Sequence, residues 1–112
     1  MKLTVKDTAK EDLINIRRYI SDDLQNPIAA ENTVRKIRDS ISRLKDSPYI
    51  GTMLHTKSDF PYSYRFLPSG AYVIIYKVYK DCVKVLRVYN SRQDYIRDIF
   101  RHFPEYDEEE EQ

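Results

Sequence analysis

The side chains that most often carry enzyme chemistry are few and widely spaced in this sequence. The histidines, His55 and His102, lie 47 positions apart, and Cys82 falls inside an apolar segment typical of a β-strand. That spacing matches no metal-ligand pattern, and one cysteine cannot form an internal disulfide. The two glycines, Gly51 and Gly70, form no phosphate-binding loop, and no serine lies in a nucleophile elbow. The sequence therefore predicts neither a metal nor a cofactor.

Basic side chains are the more informative group. Residues 105–112 hold six acidic residues and no base, so the remaining body carries 19 bases against 12 acids. A basic body suits an anionic partner such as a nucleic acid, or an acidic protein surface. A soluble surface that is simply rich in lysine and arginine is the alternative interpretation. The acidic segment is predicted to be a disordered, solubilising tail, with a weak shield over the basic face as the other possibility.

The first half of the chain predicts a short strand over residues 2–6 and then two amphipathic helices. Thr8 and Glu11 form a capping box that predicts the start of the first helix. Asn26 and Pro27 predict the start of the second helix, as its N-cap and first residue, and Ser47-Pro48 end it. Apolar residues recur every three or four positions in both helices: Ala9, Leu13, Ile16, Ile20 and Leu24, then Ala30, Val34, Ile37, Ile41 and Leu44.

The second half is dense in β-branched and aromatic residues. After a loop over 48–61, strands are predicted over 62–67, 71–79 and 82–89, with a turn at 68–70 and a two-residue turn at Lys80-Asp81. A last helix is predicted over 91–103. The order β-α-α-β-β-β-α predicts an α+β domain over residues 1–104, in which an antiparallel sheet packs against a helical hairpin and a C-terminal helix follows.

The composition of the sequence also indicates the cellular compartment. No apolar run approaches the length of about 18 residues that a membrane helix needs. The first residues are too polar for a secretory signal, and the lone cysteine gives no reason to expect an oxidising environment. We therefore expect a cytoplasmic protein.

Ordered short segments along residues 1–103 resemble those of the RelE/ParE toxin superfamily, the toxic halves of bacterial toxin–antitoxin pairs. No single segment is diagnostic, and the ordered set carries the resemblance. The segments are Asp12–Ile16, Tyr19-Ile20, Asn26–Ala30, Ile41–Leu44, Ser47-Pro48, Gly51, Tyr64-Arg65, Tyr72–Tyr76, Arg87–Tyr89 and Arg92–Tyr95.

The resemblance implies a cognate antitoxin as partner and one of two activities. RelE-like members are ribosome-dependent, metal-free endoribonucleases that cut mRNA and stop translation. ParE-like members bind DNA gyrase and block replication. Both groups share one fold, so the fold does not choose between them. The endoribonuclease is the first expectation from the sequence, and gyrase inhibition is the alternative. A basic α+β binding module, or a toxin that has lost its activity, is the third hypothesis.

The resemblance also implies a catalytic set consisting of Arg65, Arg87, Arg92 and Tyr95. Metal-free RNA cleavage needs cations to stabilise the phosphorane, and the planar fork of arginine can hold two phosphate oxygens. Arg65 matches the strand arginine of the family and is expected to clamp the phosphate. The other three have structural alternatives: Arg87 at the margin of the sheet, Arg92 in the first turn of a helix, and Tyr95 in the core.

Two further expectations concern this site. Since Arg87 lies two positions from Val85, period-two alternation places it on the face that Val85 occupies. Many nucleases of the superfamily have a histidine at the end of the last strand, where this chain reads Tyr89-Asn90-Ser91. Asparagine and serine cannot serve as the general acid or base near neutral pH, which weakens the nuclease hypothesis.

Overall fold

The computed structural model describes residues 1–54 and 64–107, with side chains up to His102. None of the helices in these segments is long and apolar enough to cross a membrane. Expectations about His55, about the start of the strand at Tyr62 and about residues 108–112 lie outside the described residues. The elements are β1 (Lys2–Val5), α1 (Asp7–Arg18), a π-helical turn (Tyr19–Asp23), α2 (Pro27–Arg43), β2 (Thr52–Met53), β3 (Tyr64–Ser69), β4 (Tyr72–Val78), β5 (Cys82–Asn90) and α3 (Tyr95–Asp107).

The strands of the described segments form one sheet in the order β1-β5-β4-β3-β2. The α+β architecture and the order of the main elements are confirmed. The sheet is mixed, however, because β1 runs parallel to β5 whereas the pairs from β5 to β2 are antiparallel. The expectation of a wholly antiparallel sheet is therefore wrong at β1, since alternation of apolar residues identifies a buried face and carries no information about strand direction.

Both faces of the sheet are covered. The helical hairpin packs one face through Ala9, Ile37, Ile41 and Leu44, and α3 packs the opposite face through Tyr95 and Ile99. The apolar stripes are therefore confirmed, except that Leu24, the last residue of the first stripe, is exposed. Below, the two sides of the sheet are called the hairpin face and the α3 face.

A β-bulge in β5 decides where Arg87 points. Tyr76 on β4 pairs with Val85, whereas the preceding residue Ile75 pairs with Arg87, so Leu86 is the extra residue. Residues directly opposite each other share a face, and Ile75 belongs to the α3 face. The expectation that Arg87 shares a face with Val85 is therefore wrong, because the bulge breaks the alternation on which it rested.

The edge of β5 beyond Val85 is covered by α1. Strand β1 ends at Val5, so the next backbone groups of β5 must find other partners. The hydroxyl of Thr8 donates to the carbonyl of Leu86 at 2.7 Å, and the carboxylate of Asp12 accepts from the amide of Val88 at 2.8 Å. Thr8 is therefore not the N-cap predicted from the sequence: the helix begins at Asp7, and the hydroxyl serves the sheet.

The start of α2 is confirmed, whereas α3 starts later in the chain than the sequence predicts. The side chain of Asn26 accepts from the amide of Ala29 at 3.1 Å and caps α2 as expected. Helix α3 begins at Tyr95 rather than at Ser91, because residues 90–93 form a turn in which the amide of Asn90 donates to Gln93 Oε1 at 2.8 Å. It runs to Asp107, into the segment predicted to be a disordered tail.

The covering of the sheet edge by Thr8 can be tested against the capping box. Thr8→Val keeps the shape and leaves the Leu86 carbonyl without its donor, so we expect it to lower the free energy of unfolding by about 1–2 kcal/mol. Glu11 is exposed, and Glu11→Ala should change that free energy by less than about 0.5 kcal/mol. Urea unfolding of both variants makes the comparison, and similar losses for the two would instead favour the capping box.

Candidate functional site: the Arg87 cleft

Arg87 is bonded to carboxylates on two helices. Its Nε and Nη2 atoms lie 2.7 and 3.0 Å from the two oxygens of Asp12, a bidentate pair, and its Nη1 lies 3.3 Å from Asp98 Oδ2. The guanidinium carbon also lies 4.6 Å from the centre of the Tyr89 ring. The side chains of Arg87 and Asp12 are only 22% and 13% exposed, so water screens this pair little. The ion pair joins α1, β5 and α3.

Asp98 extends the same network. Its Oδ2 accepts a short hydrogen bond from the hydroxyl of Tyr89, and its Oδ1 lies 3.8 Å from His102 Nε2. Tyr89 in turn stacks on Tyr95, with ring centres 6.0 Å apart. The order along α3 explains the arrangement, because Tyr95, Asp98 and His102 lie three and four residues apart and so share one face of the helix.

Two adjoining cavities flank this network, and we call them together the Arg87 cleft. They have volumes of about 230 and 280 Å³ and share Arg87, Tyr89 and Gln93. Tyr19 and Tyr72 line the first cavity, and burial, followed by the effect of the neighbouring Tyr19, raises the pKa of Tyr72. Among the lining residues of the described segments, three arginines face three aspartates: Arg87, Arg97 and Arg101, with Asp12, Asp94 and Asp98. The formal charges balance, so the cleft is not a cationic hollow.

Arg65 lies on the other face of the sheet. It pairs with Tyr76 across β3 and β4, on the hairpin face. Its Nη1 donates to the carbonyl of Gly51 at 2.8 Å and to that of Tyr49 at 3.5 Å, and its guanidinium carbon lies 5.0 Å from the centre of the Tyr49 ring. The guanidinium therefore binds backbone carbonyls of the chain that follows α2.

The predicted site residues are thus only partly brought together. Arg87 and Tyr95 line the same cavity, although Tyr95 is 8% exposed and belongs to the core of the α3 face. Arg92 is exposed in the turn before α3, where its amide donates to Asn90 Oδ1 at 2.9 Å. With Arg65 on the opposite face, the expected cluster of three guanidinium groups is not formed. The catalytic role of each residue stays a prediction.

Sequence reasoning missed the carboxylates that bind Arg87. Asp12 and Asp98 lie on the first and last helices, and Asp12 is 75 positions from Arg87 along the chain. No periodic pattern links residues so far apart. One weak signal pointed to Asp12. This acidic residue directly precedes Leu13 and so lies at the margin of the apolar stripe of α1.

A separate apolar groove of about 520 Å³ lies between α1, α2 and β1, and we call it the hairpin groove. Ile14, 54% exposed, stands at its rim. Within the described part of the chain, its charged lining residues are all cations: Lys10, Arg17 and Arg38. The apolar lining consists of Leu3, Val5, Leu13, Ile14, Val34 and Ile41.

Over residues 1–54 and 64–102, whose side chains the structure describes, no three side chains of the His, Cys, Asp or Glu type lie close enough together to hold a metal ion.

The two carboxylates that bind Arg87 should differ in their effect on stability. Asp12→Ala leaves a poorly solvated guanidinium and an unpaired Val88 amide, so we expect it to lower the free energy of unfolding by about 3 kcal/mol. Asp98 is 35% exposed, and Asp98→Ala should cost about 1 kcal/mol. Chemical unfolding measures both values. A loss at Asp98 equal to or greater than that at Asp12 would contradict the bidentate pair as the dominant contact.

Comparisons with known proteins agree with this architecture. A family profile described as the ParE toxin of the type II toxin–antitoxin system parDE matches residues 3–95. The chain is also similar to a solved structure described as the chromosomal ParDE TA system from P. aeruginosa, with a TM-score of 0.68 and 22% identity over 80% of this chain and 95% of that one. No curated protein matches the chain. Since the family profile covers well over half of the sequence, the chain belongs to the ParE toxin family of type II toxin–antitoxin systems.

Proposed function

We propose that this ParE-family toxin inhibits DNA gyrase by binding it, without catalysis, and that a cognate antitoxin neutralises it. The family match supports a toxin of the parDE type, and the geometry supports action by binding. The single observation that carries the proposal is the engagement of Arg87 by Asp12 and Asp98. An arginine held in this way is not available to a phosphate unless those bonds break.

The energetic cost of freeing Arg87 is large. Breaking a buried ion pair leaves an uncompensated charge and typically costs about 3–5 kcal/mol. An incoming phosphate would also face the carboxylates of Asp12 and Asp98, which would then repel it. Arg65 also has a structural contact, since its Nη1 donates to the Gly51 carbonyl at 2.8 Å. Both arginines therefore serve the structure first.

The second candidate is the ribosome-dependent mRNA endoribonuclease. One observation favours it: the cavity that holds Arg87 and Tyr95 also receives Arg97 and Arg101. The balanced charges of the cleft weigh against this candidate, because RNA binding depends on a net positive surface.

The hairpin groove suits the antitoxin partner. An amphipathic helix can place its apolar face on the floor formed by Leu13 and Val34, as helices do in other grooves. Carboxylates on the same helix would then meet Lys10 and Arg38, whereas Arg17 already forms an ion pair with Glu31 at 3.1 Å. We therefore expect the cognate antitoxin to present an acidic amphipathic helix to this groove.

Two assays run side by side test the proposed activity. The purified toxin should inhibit supercoiling by DNA gyrase, and it should leave the message intact when primer extension is performed on a cell-free translation reaction. Arg92→Ala, which removes an exposed guanidinium, should leave gyrase inhibition within about twofold of the unmodified toxin. New cleavage sites in the message together with unaffected supercoiling would replace this proposal with the endoribonuclease.

The antitoxin site is tested by introducing a negative charge at the rim of the groove. Ile14→Glu should weaken binding of the cognate antitoxin at least about tenfold, because it places a carboxylate against the acidic helix and removes an apolar contact. Ile28→Glu is the matched control, since Ile28 is 75% exposed and does not line the groove. Titration calorimetry gives both affinities. Equal affinities for the two variants would place the antitoxin elsewhere.

A further inference from the structure

The turn that follows α2 displays two large apolar side chains to solvent. We call residues 47–51 the Tyr49 turn. Tyr49 is 61% exposed and Ile50 is 45% exposed, and they are consecutive in the chain. Single exposed apolar residues are common on protein surfaces, whereas contiguous exposed apolar surface can mark an interaction site.

Hydrogen bonds to the sheet and to the end of α2 hold the turn in place. The amide of Gly51 donates to the buried hydroxyl of Tyr76 at 2.8 Å, and the carbonyl of Gly51 accepts from Arg65 at 2.8 Å. The amide of Ser47 donates to the carbonyl of Arg43 at 2.8 Å, which ties the turn to the end of α2. Two of these contacts lie on Gly51, next to Ile50, so the exposed pair stands on a fixed backbone.

Gly51 also shows how closely the turn fits the sheet. A Cβ atom at this position would lie 2.5 Å from Tyr76 Oη and 2.8 Å from the carbonyl oxygen of Phe66, distances that side chains do not tolerate. The close approach explains why glycine is required here. The backbone of the turn therefore packs directly on the sheet, and Tyr49 and Ile50 project from a rigid support.

Such a support favours protein binding. A pre-ordered turn loses little conformational entropy when it associates, so more of its contact energy appears as affinity. Tyrosine and arginine are the residue types enriched at the energetic centres of protein interfaces. The guanidinium of Arg65, on β3, lies 5.0 Å from the centre of the Tyr49 ring, a cation–π contact that favours this orientation of the ring.

We propose that the Tyr49 turn is the surface through which the toxin contacts its target protein, and that Arg65 is the residue that positions it. The partner surface is an apolar pocket with acidic residues at its margin. Charge supports this choice: in residues 43–54 and 64–69, three bases, Arg43, Lys45 and Arg65, accompany one acid, Asp46. The inference rests on the proposed function, which makes that target DNA gyrase.

The turn and the hairpin groove are separate surfaces. None of the residues that line the groove belongs to the turn. Arg65, beneath the turn, lies on β3, which is three places from β1 in the sheet, or about 14 Å at the usual spacing between strands. Variants of the turn should therefore change target binding and leave antitoxin binding unchanged.

The test uses Tyr49→Ala combined with Ile50→Ala in the full-length toxin, with Ile28→Ala as the matched control for removal of an exposed apolar side chain. The double variant should raise the concentration for half-inhibition of gyrase supercoiling at least about tenfold and should lose growth arrest in cells. Its thermal unfolding and its affinity for the antitoxin should match those of the unmodified toxin. Inhibition within twofold of the unmodified toxin, or growth arrest that persists, would overturn the inference.

Measuring growth arrest beside gyrase inhibition distinguishes a wrong target from a wrong contact surface. If the unmodified toxin does not inhibit gyrase and the double variant still loses growth arrest, the proposed target is wrong and the contact surface stands. If the unmodified toxin inhibits gyrase and the double variant does so equally, the target stands and the turn is not the contact.

The positioning role of Arg65 has its own readout. Arg65→Met should weaken gyrase inhibition, whereas Arg65→Lys should recover part of it, because lysine can still donate to the Gly51 carbonyl. Adding Arg65→Met to the double variant should produce no further loss, since the side chains that Arg65 positions are already gone. An additive loss would show that Arg65 contacts the target itself.

Discussion

The bidentate ion pair between Arg87 and Asp12 is the contact on which the arrangement of this protein depends. Strand β5 extends well beyond the end of β1, and its exposed edge requires partners for its backbone groups. Asp12 supplies one of them while it binds Arg87, and Asp98 reaches the same guanidinium from α3. One side chain therefore connects the helix on one face of the sheet with the helix on the other.

That connection has consequences for function. With α1 held against the edge of β5, the hairpin groove opens between α1, α2 and β1. The same contacts neutralise the positive charge of Arg87, and Nη1 of Arg65 donates to the backbone of the Tyr49 turn. Arg87 and Arg65, which suggested a phosphate-binding site in the sequence, thus stabilise the fold. The hairpin groove and the Tyr49 turn remain as surfaces suited to protein partners.

Local patterns predicted much of this fold. The Asn26 cap, the three- and four-residue spacing in α2, and the β-branched run of β4 are each determined by neighbours in the chain, and each is confirmed. The parallel pairing of β1, the bulge at Leu86 and the bond of Thr8 to the sheet depend on segments far apart in sequence. Period-two alternation cannot foresee an inserted residue, which is why the orientation of Arg87 was predicted on the wrong face.

We propose that Arg87 is structural and that the toxin acts through its surface. The double variant Asp12→Asn with Arg87→Met separates these roles, because the asparagine still accepts from the Val88 amide and the ion pair is replaced by neutral side chains of similar size. We expect it to fold and to inhibit gyrase supercoiling as strongly as the unmodified toxin. A folded double variant that no longer inhibits gyrase would instead make Arg87 part of the surface that binds the target.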